Sequence, residues 1–241
     1  MAPSARTIVV RNLGLTRYGD VHRLQQELQA ERIRGEGVDT LLLTEHQPVF
    51  TLGRNHPEPN LRATEAMVRA AGIEVAQTER GGDITYHGPG QLVAYGIIDL
   101  QAWGVRVVDY VSALEDTMFG VLGEWGIEGR RHECARGAWV GERKVGSVGL
   151  HVRRFVSMHG AALNVSPNMA HIALMNPCGL EDTEMTSLSA EVGRPVAVTE
   201  VAEAFVREFA RVLECEVREG VGVAVKSGAD SWDAKTPSAN A

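Results

Sequence analysis

Between residues 137 and 165 the chain strings together three apolar stretches, GAWVG, KVGSVGLHV and MHGAALNV, with only tight links between them. Strands joined so closely pair antiparallel, because a parallel pair needs a crossover of about a dozen residues or more. Further strands read at residues 8–13 (IVVRNL), 40–46 (TLLLTEH), 49–54 (VFTLGR), 73–78 (IEVAQT) and 92–100 (LVAYGIIDL). Helical spacing appears at residues 20–34, through Val21, Leu24, Leu28 and Ile33, and ends at Gly35 and Gly37. It recurs across residues 107–125, through Val108, Val111, Leu114, Met118 and Leu122. Thr64 is placed to cap a short helix, and Thr199 to open a last one. Strands follow strands more often than they alternate with helices. The expected fold class is therefore α/β of the α+β kind, a mixed β-sheet flanked by helices. Residues 1–220 form one expected domain, and 221–241 read as a disordered tail.

The 241 residues suit that single domain, and 44% apolar with 23% charged composition supports a soluble globular core. The net charge of -7 argues against a general nucleic-acid binder. No apolar run is long enough to span a membrane, and the N-terminal apolar stretch is too short for a signal peptide. Cysteines stand at 134, 178 and 215, an odd number without a CxxC pair, so neither a disulfide framework nor a thiolate zinc cluster is expected. The expected compartment is the cytoplasm, where thiols stay reduced.

The segment RGGDITYHGPGQ, residues 80–91, holds four glycines and one proline in twelve residues. No lysine follows the glycines and a strand comes next, so the segment is neither a Walker A loop nor a dinucleotide fingerprint. Two readings stay open. One is a hairpin turn between strands 73–78 and 92–100 with glycines at positive φ. The other is a backbone that approaches a ligand closely. Arg80 and His87 favour the second, since a simple turn needs neither.

Lys144 opens an apolar, glycine-punctuated strand, which suggests an inward position. A desolvated lysine can carry a proton, and a charged one beside a thiol favours the thiolate. Cys178 stands between Pro177 and Gly179, in a loop suited to present a thiol rather than pack it. Cys215 lies near the end of the last helix and reads as structural, and Cys134 lies in a polar loop. His132, His151 and His159 come without HExxH or CxxC spacing, so no metal site is expected.

Taken together and in order, EHQPVFTLGR, RGGDITYHGPGQLVAY, KVGSVGLHV, MHGAALNV, PCGL and TSLS resemble the lipoyl(octanoyl) transferase family, also called lipoate-protein ligase B, over residues 13–211. The resemblance implies the biotin/lipoate protein ligase catalytic-domain fold and octanoyl transfer from acyl carrier protein to a lysine of a lipoyl domain. It implies Cys178 as the nucleophile that forms an acyl-thioester and Lys144 as the lysine that activates the thiol and moves protons. It implies acyl-binding positions at Arg80, Gly81, Gly82, Asp83, Ile84, Thr85, Tyr86 and His87. Ser147, Val148 and Gly149, then His159, Gly160, Ala161 and Ala162, complete the implied set. No cofactor is implied. The implied partners are acyl carrier protein and the lipoyl domains of 2-oxoacid dehydrogenases and glycine cleavage H protein. No nucleic acid and no membrane are expected, and a monomer is. An ATP-dependent lipoate or biotin ligase is the rival activity.

Residues 130–154 carry six arginines and one lysine against Glu133 and Glu142, in an otherwise acidic chain. This stretch is a candidate docking surface for an acidic carrier protein, and a scattered solvated face is the alternative.

Overall fold

The computed structural model describes residues 6–54, 60–133, 135–176 and 183–220. Strand β1 (Thr7–Thr16) leads into helix α1 (Tyr18–Ile33), then β2 (Thr40–His46) and β3 (Val49–Leu52). A short helix α2 (Glu65–Ala70) precedes β4 (Glu74–Gln77), β5 (Ile84–His87) and β6 (Gln91–Ile97). Helix α3 (Val107–Glu124) is followed by β7 (Gly137–Val140), β8 (Arg143–Arg153) and β9 (Val156–Asn164). Helices α4 (Met169–Ile172), α5 (Leu188–Val192) and α6 (Val198–Leu213) and strand β10 (Glu216–Glu219) complete the described elements.

Seven strands form one mixed sheet in the order β10-β1-β2-β6-β9-β8-β7. The pairs β10–β1 and β1–β2 are parallel, and the others are antiparallel. The tightly linked strands β7, β8 and β9 pair antiparallel as their spacing predicts. Both faces are covered, so β2, β6 and β9 are buried almost end to end and read as continuous apolar runs. Helices α3 and α6 cover one face, packing Leu114, Met118 and Phe205 against Leu41, Ala94 and Leu163. On the other face Val21 of α1 packs with Leu42, Val93 and Ala162. Helix α6 buries Val201, Ala204, Phe205 and Phe209, the one-sided spacing of an amphipathic helix.

The smaller sheet has the order β4-β3-β5 and its own core, centred on Phe50, Tyr86 and Ile172. It overturns the hairpin reading of residues 73–78 and 92–100. Those stretches lie in different sheets, and the glycine segment contains a strand of its own, β5, paired antiparallel with β3. Thr64 caps α2, accepting from Met67 N at 3.3 Å. Helix α6 begins one residue before Thr199, after Ala197 and without a side-chain cap. The expected tail at 221–241 lies outside the described residues.

Candidate active site

A cavity of about 550 Å³ opens where the small sheet meets β6, β8 and β9 of the large one. Residues 80–85 and His87 form one wall, and Ser147, Val148, Gly149, His159, Gly160, Ala161 and Ala162 form the opposite one. Lys144 lines it as well. Among the expected site residues with described positions, Tyr86 alone does not reach this cavity. Strand alternation turns its ring into the core of the small sheet, and its hydroxyl meets His171 Nδ1 at 2.9 Å. Cys178 lies outside the described residues.

The glycines permit close approach of backbones. Gly82 has φ +87°, and a side chain at Gly53 would collide with the Gly82 carbonyl. The loop is thereby laid against β3 on one side, and Gly81 N donates to Leu150 O of β8 at 2.9 Å on the other. At Gly160 any Cβ would strike the Ala94 carbonyl of β6, so this part of the wall carries no side chain.

Arg80 is 7% exposed and clamps this loop. Its Nη2 donates to Thr51 O at 2.6 Å and to Thr51 Oγ1 at 2.9 Å, and its Nη1 donates to Gly81 O at 3.1 Å. His87 has a different task. Its Nδ1 lies 2.7 Å from Gln91 Oε1. Gln91 Nε2 donates to Asn164 Oδ1 at 2.9 Å, and Asn164 Nδ2 donates to Thr186 O at 3.0 Å. This chain ties the glycine loop, β9 and the segment at Thr186 together. The same segment flanks Lys144, whose N donates to Glu184 O at 2.8 Å and whose O accepts from Thr186 N at 2.9 Å.

Lys144 is 1% exposed. Its Nζ donates to Arg136 O at 3.1 Å and lies 5.4 Å from the centre of the Trp139 ring. Asn176 N donates to Asn60 O at 2.7 Å, and Glu184 O accepts from Lys144 N.

The cavity's titratable groups are shaped by burial. Burial lowers the His87 pKa to about 4, helped by the charges of Arg80 and His159. Burial likewise lowers His159 to about 4, with Glu79 opposing. Burial pushes the hydroxyls of Tyr18 and Tyr95 well above their ordinary range. Burial would raise Glu79, but the imidazoles of His159 and His22 outweigh it and hold the carboxyl well below the usual range. His22 Nε2 is 2.9 Å from Glu79 Oε2, and His159 Nε2 is 3.8 Å away. These three are a cluster with metal-ligand chemistry, and it differs from the His132 and His151 positions considered from sequence. Outside the cavity, burial pushes the Cys215 thiol up to about 11, which suits a packing role.

Thr51, Gln91, Asn164 and Thr186 escaped the sequence reading. Gln91 carried a usable signal: it is the polar residue that opens the apolar strand β6, and such a residue must find a buried partner.

A model of the lipoyl protein ligase A/B catalytic domain matches residues 17–210. An octanoyltransferase of Solibacter usitatus is 43% identical over 219 residues, covering 91% of this chain and 99% of that protein. One of Syntrophobacter fumaroxidans is 44% identical over 214 residues, covering 89% and 94%. A lipoate-protein ligase A solved with ATP bound superposes with a TM-score of 0.68 at 16% identity, covering 90% of this chain and 88% of that one, a likeness of fold. Relatives so similar over nearly their full length, and a family model that matches most of the chain, lead to one conclusion: this chain belongs to the lipoyl protein ligase A/B catalytic domain family.

Proposed function

We propose that this chain transfers an octanoyl group to a lysine of lipoyl domains, as an octanoyl-[acyl-carrier-protein]:protein N-octanoyltransferase. The observation that carries the reading is buried Lys144 on a cavity walled by small residues, its backbone bonded to the segment that follows Cys178. Burying the six methylenes and terminal methyl of an octanoyl tail against Gly149, Gly160, Ala161 and Ala162 contributes about 5 kcal/mol before binding costs. The donor is octanoyl-acyl carrier protein. The acceptors are lipoyl domains of 2-oxoacid dehydrogenases and the glycine cleavage H protein. The reaction runs in a reducing cytoplasm.

In the first half, the Cys178 thiolate attacks the donor thioester carbonyl. The new C–S bond forms, the carrier's C–S bond breaks, and the carrier thiolate leaves, taking through Lys144 the proton that the Cys178 thiol gave up. In the second, the acceptor lysine amine attacks the Cys178 thioester. Its C–N bond forms, the C–S bond breaks, and the proton lost by the amine passes through Lys144 to restore the thiol. Thioester for thioester is nearly even in energy, so no nucleotide is consumed. The oxyanion at each tetrahedral stage needs backbone N–H donors, and those near Gly149 and Gly179 are the candidates. Burial keeps the His87 and His159 imidazoles neutral and the Tyr18 phenol un-ionised beside an apolar tail.

Intact mass measured after mixing with octanoyl-carrier protein should rise by one octanoyl group, and the gain should vanish in Cys178→Ser. Full transfer by that variant, with ATP required, would instead establish an adenylating ligase.

A further inference from the structure

The arginines of residues 130–143 are neutralised within the fold. Arg130 pairs with Glu142, Arg131 with Glu115 and Asp116, Arg136 with Glu115, and Arg143 with Glu191. The basic stretch read from sequence therefore offers little free charge along most of its length. Three exposed arginines differ: among the described residues no carboxylate pairs with Arg54, Arg153 or Arg154.

They converge beside the cavity from two elements. Arg54 follows β3, and its N donates to Arg80 O at 3.1 Å. Arg80, Gly81 and Leu150 line the cavity, and β8 runs outward from Leu150 to Arg153, a span of about 10 Å. Arg54 and Arg153 both act on His151. After burial and the opposing charge of Glu79, their positive charges hold its pKa below the ordinary value. Asp99 bridges to Val156 at the base of the hairpin, and its carboxylate lies 3.8 Å from Arg32.

The turn between β8 and β9 adds an apolar group. Arg154 and Phe155 have φ of 47° and 64°, the two left-handed positions of a hairpin turn that usually takes Asn-Gly. Phe155 is 57% exposed there, beside two arginines. A chain of net charge -7 repels an acidic protein over most of its surface, so a local basic patch decides where such a protein lands.

We propose that Arg54, Arg153, Arg154 and Phe155 form the docking surface for the acidic protein that delivers the acyl thioester to the cavity. The inference rests on the octanoyl-transfer reading above. The patch steers the carrier to the cavity rim, Phe155 gives it an apolar anchor, and the acyl arm passes Gly81 and Leu150 into the pocket.

The test compares three substrates at low ionic strength: octanoyl-carrier protein, octanoyl-pantetheine without a carrier, and the lipoyl-domain acceptor. In R153E/R154E the KM for octanoyl-carrier protein should rise roughly tenfold, with the difference shrinking as salt is added. Transfer from octanoyl-pantetheine should stay at the wild-type rate, which also shows the variant folded. Arg54→Glu, which leaves the hairpin intact, should give the same selectivity, and Arg130→Glu should leave both donors unchanged. An unchanged KM for the carrier, an equal loss with both donors, or a rise confined to the lipoyl domain would each overturn the docking surface. Wild-type protein that uses neither donor would overturn the octanoyl-transfer reading and this one with it.

Discussion

His87 and His159 are imidazoles held away from water at the wall of the cavity. Each has a pKa of about 4 against an ordinary 6.5. Between those values the unfolded chain binds protons that the folded chain refuses, so stability falls as pH drops from 6.5 toward 4. Each imidazole contributes on the order of a few kcal/mol to that fall. Thermal unfolding followed from pH 7 to pH 4.5 should show Tm dropping across this window. In His87→Gln the drop should be shallower, and an unchanged slope would count against a neutral buried His87. Arg80 and His87 were both visible in the glycine segment, yet their tasks were not. Arg80 clamps the loop to Thr51, and His87 begins a chain through Gln91 and Asn164. Neither partner set has a sequence spacing, because Thr51 and Asn164 come from other strands.

At the scale of elements, β8 and β9 place Gly149 opposite Gly160 and Ser147 opposite Ala162. That register makes a strip of small side chains along the cavity, and under the proposed octanoyl transfer this strip would give the tail its room. Enlarging Ala162 to leucine should shorten the slot. The variant should lose at least tenfold in kcat/KM for octanoyl substrate, since several methylenes at about 0.8 kcal/mol each lose their place. It should lose much less for butanoyl substrate, and competition between the two donors measures the shift. The apolar strands were legible because burial on both faces writes a continuous hydrophobic run. Strand β5 was hidden by the glycines around it, and β10, with the sequence EVRE, by its exposure at the sheet edge.

At the scale of the whole molecule, two sheets with separate cores are joined by polar side chains. His87 of β5 in the small sheet meets Gln91 of β6 in the large one, and Gln91 passes the link to Asn164 of β9 and so to Thr186 beside Lys144. Asn164→Leu would leave Gln91 Nε2 and Thr186 O short of partners, at a cost of about 1–3 kcal/mol each where they stay buried. Hydrogen exchange should then quicken first at Lys144 and at the glycine loop, ahead of the β6–β9 ladder. Uniform loss across both sheets would deny the network this joining role. The sequence by itself determined the mixed sheet, the ordered motifs of the family, and the inward lysine, because strand burial and glycine spacing are written along the chain. The tertiary structure alone decided that residues 80–91 carry a strand of a second sheet. It likewise decided that Arg130, Arg131, Arg136 and Arg143 are neutralised, and that among the described residues no carboxylate pairs with Arg54, Arg153 or Arg154. The physical reason is that charge pairing and strand pairing depend on which residues become neighbours in space, and segments distant in sequence supply those neighbours.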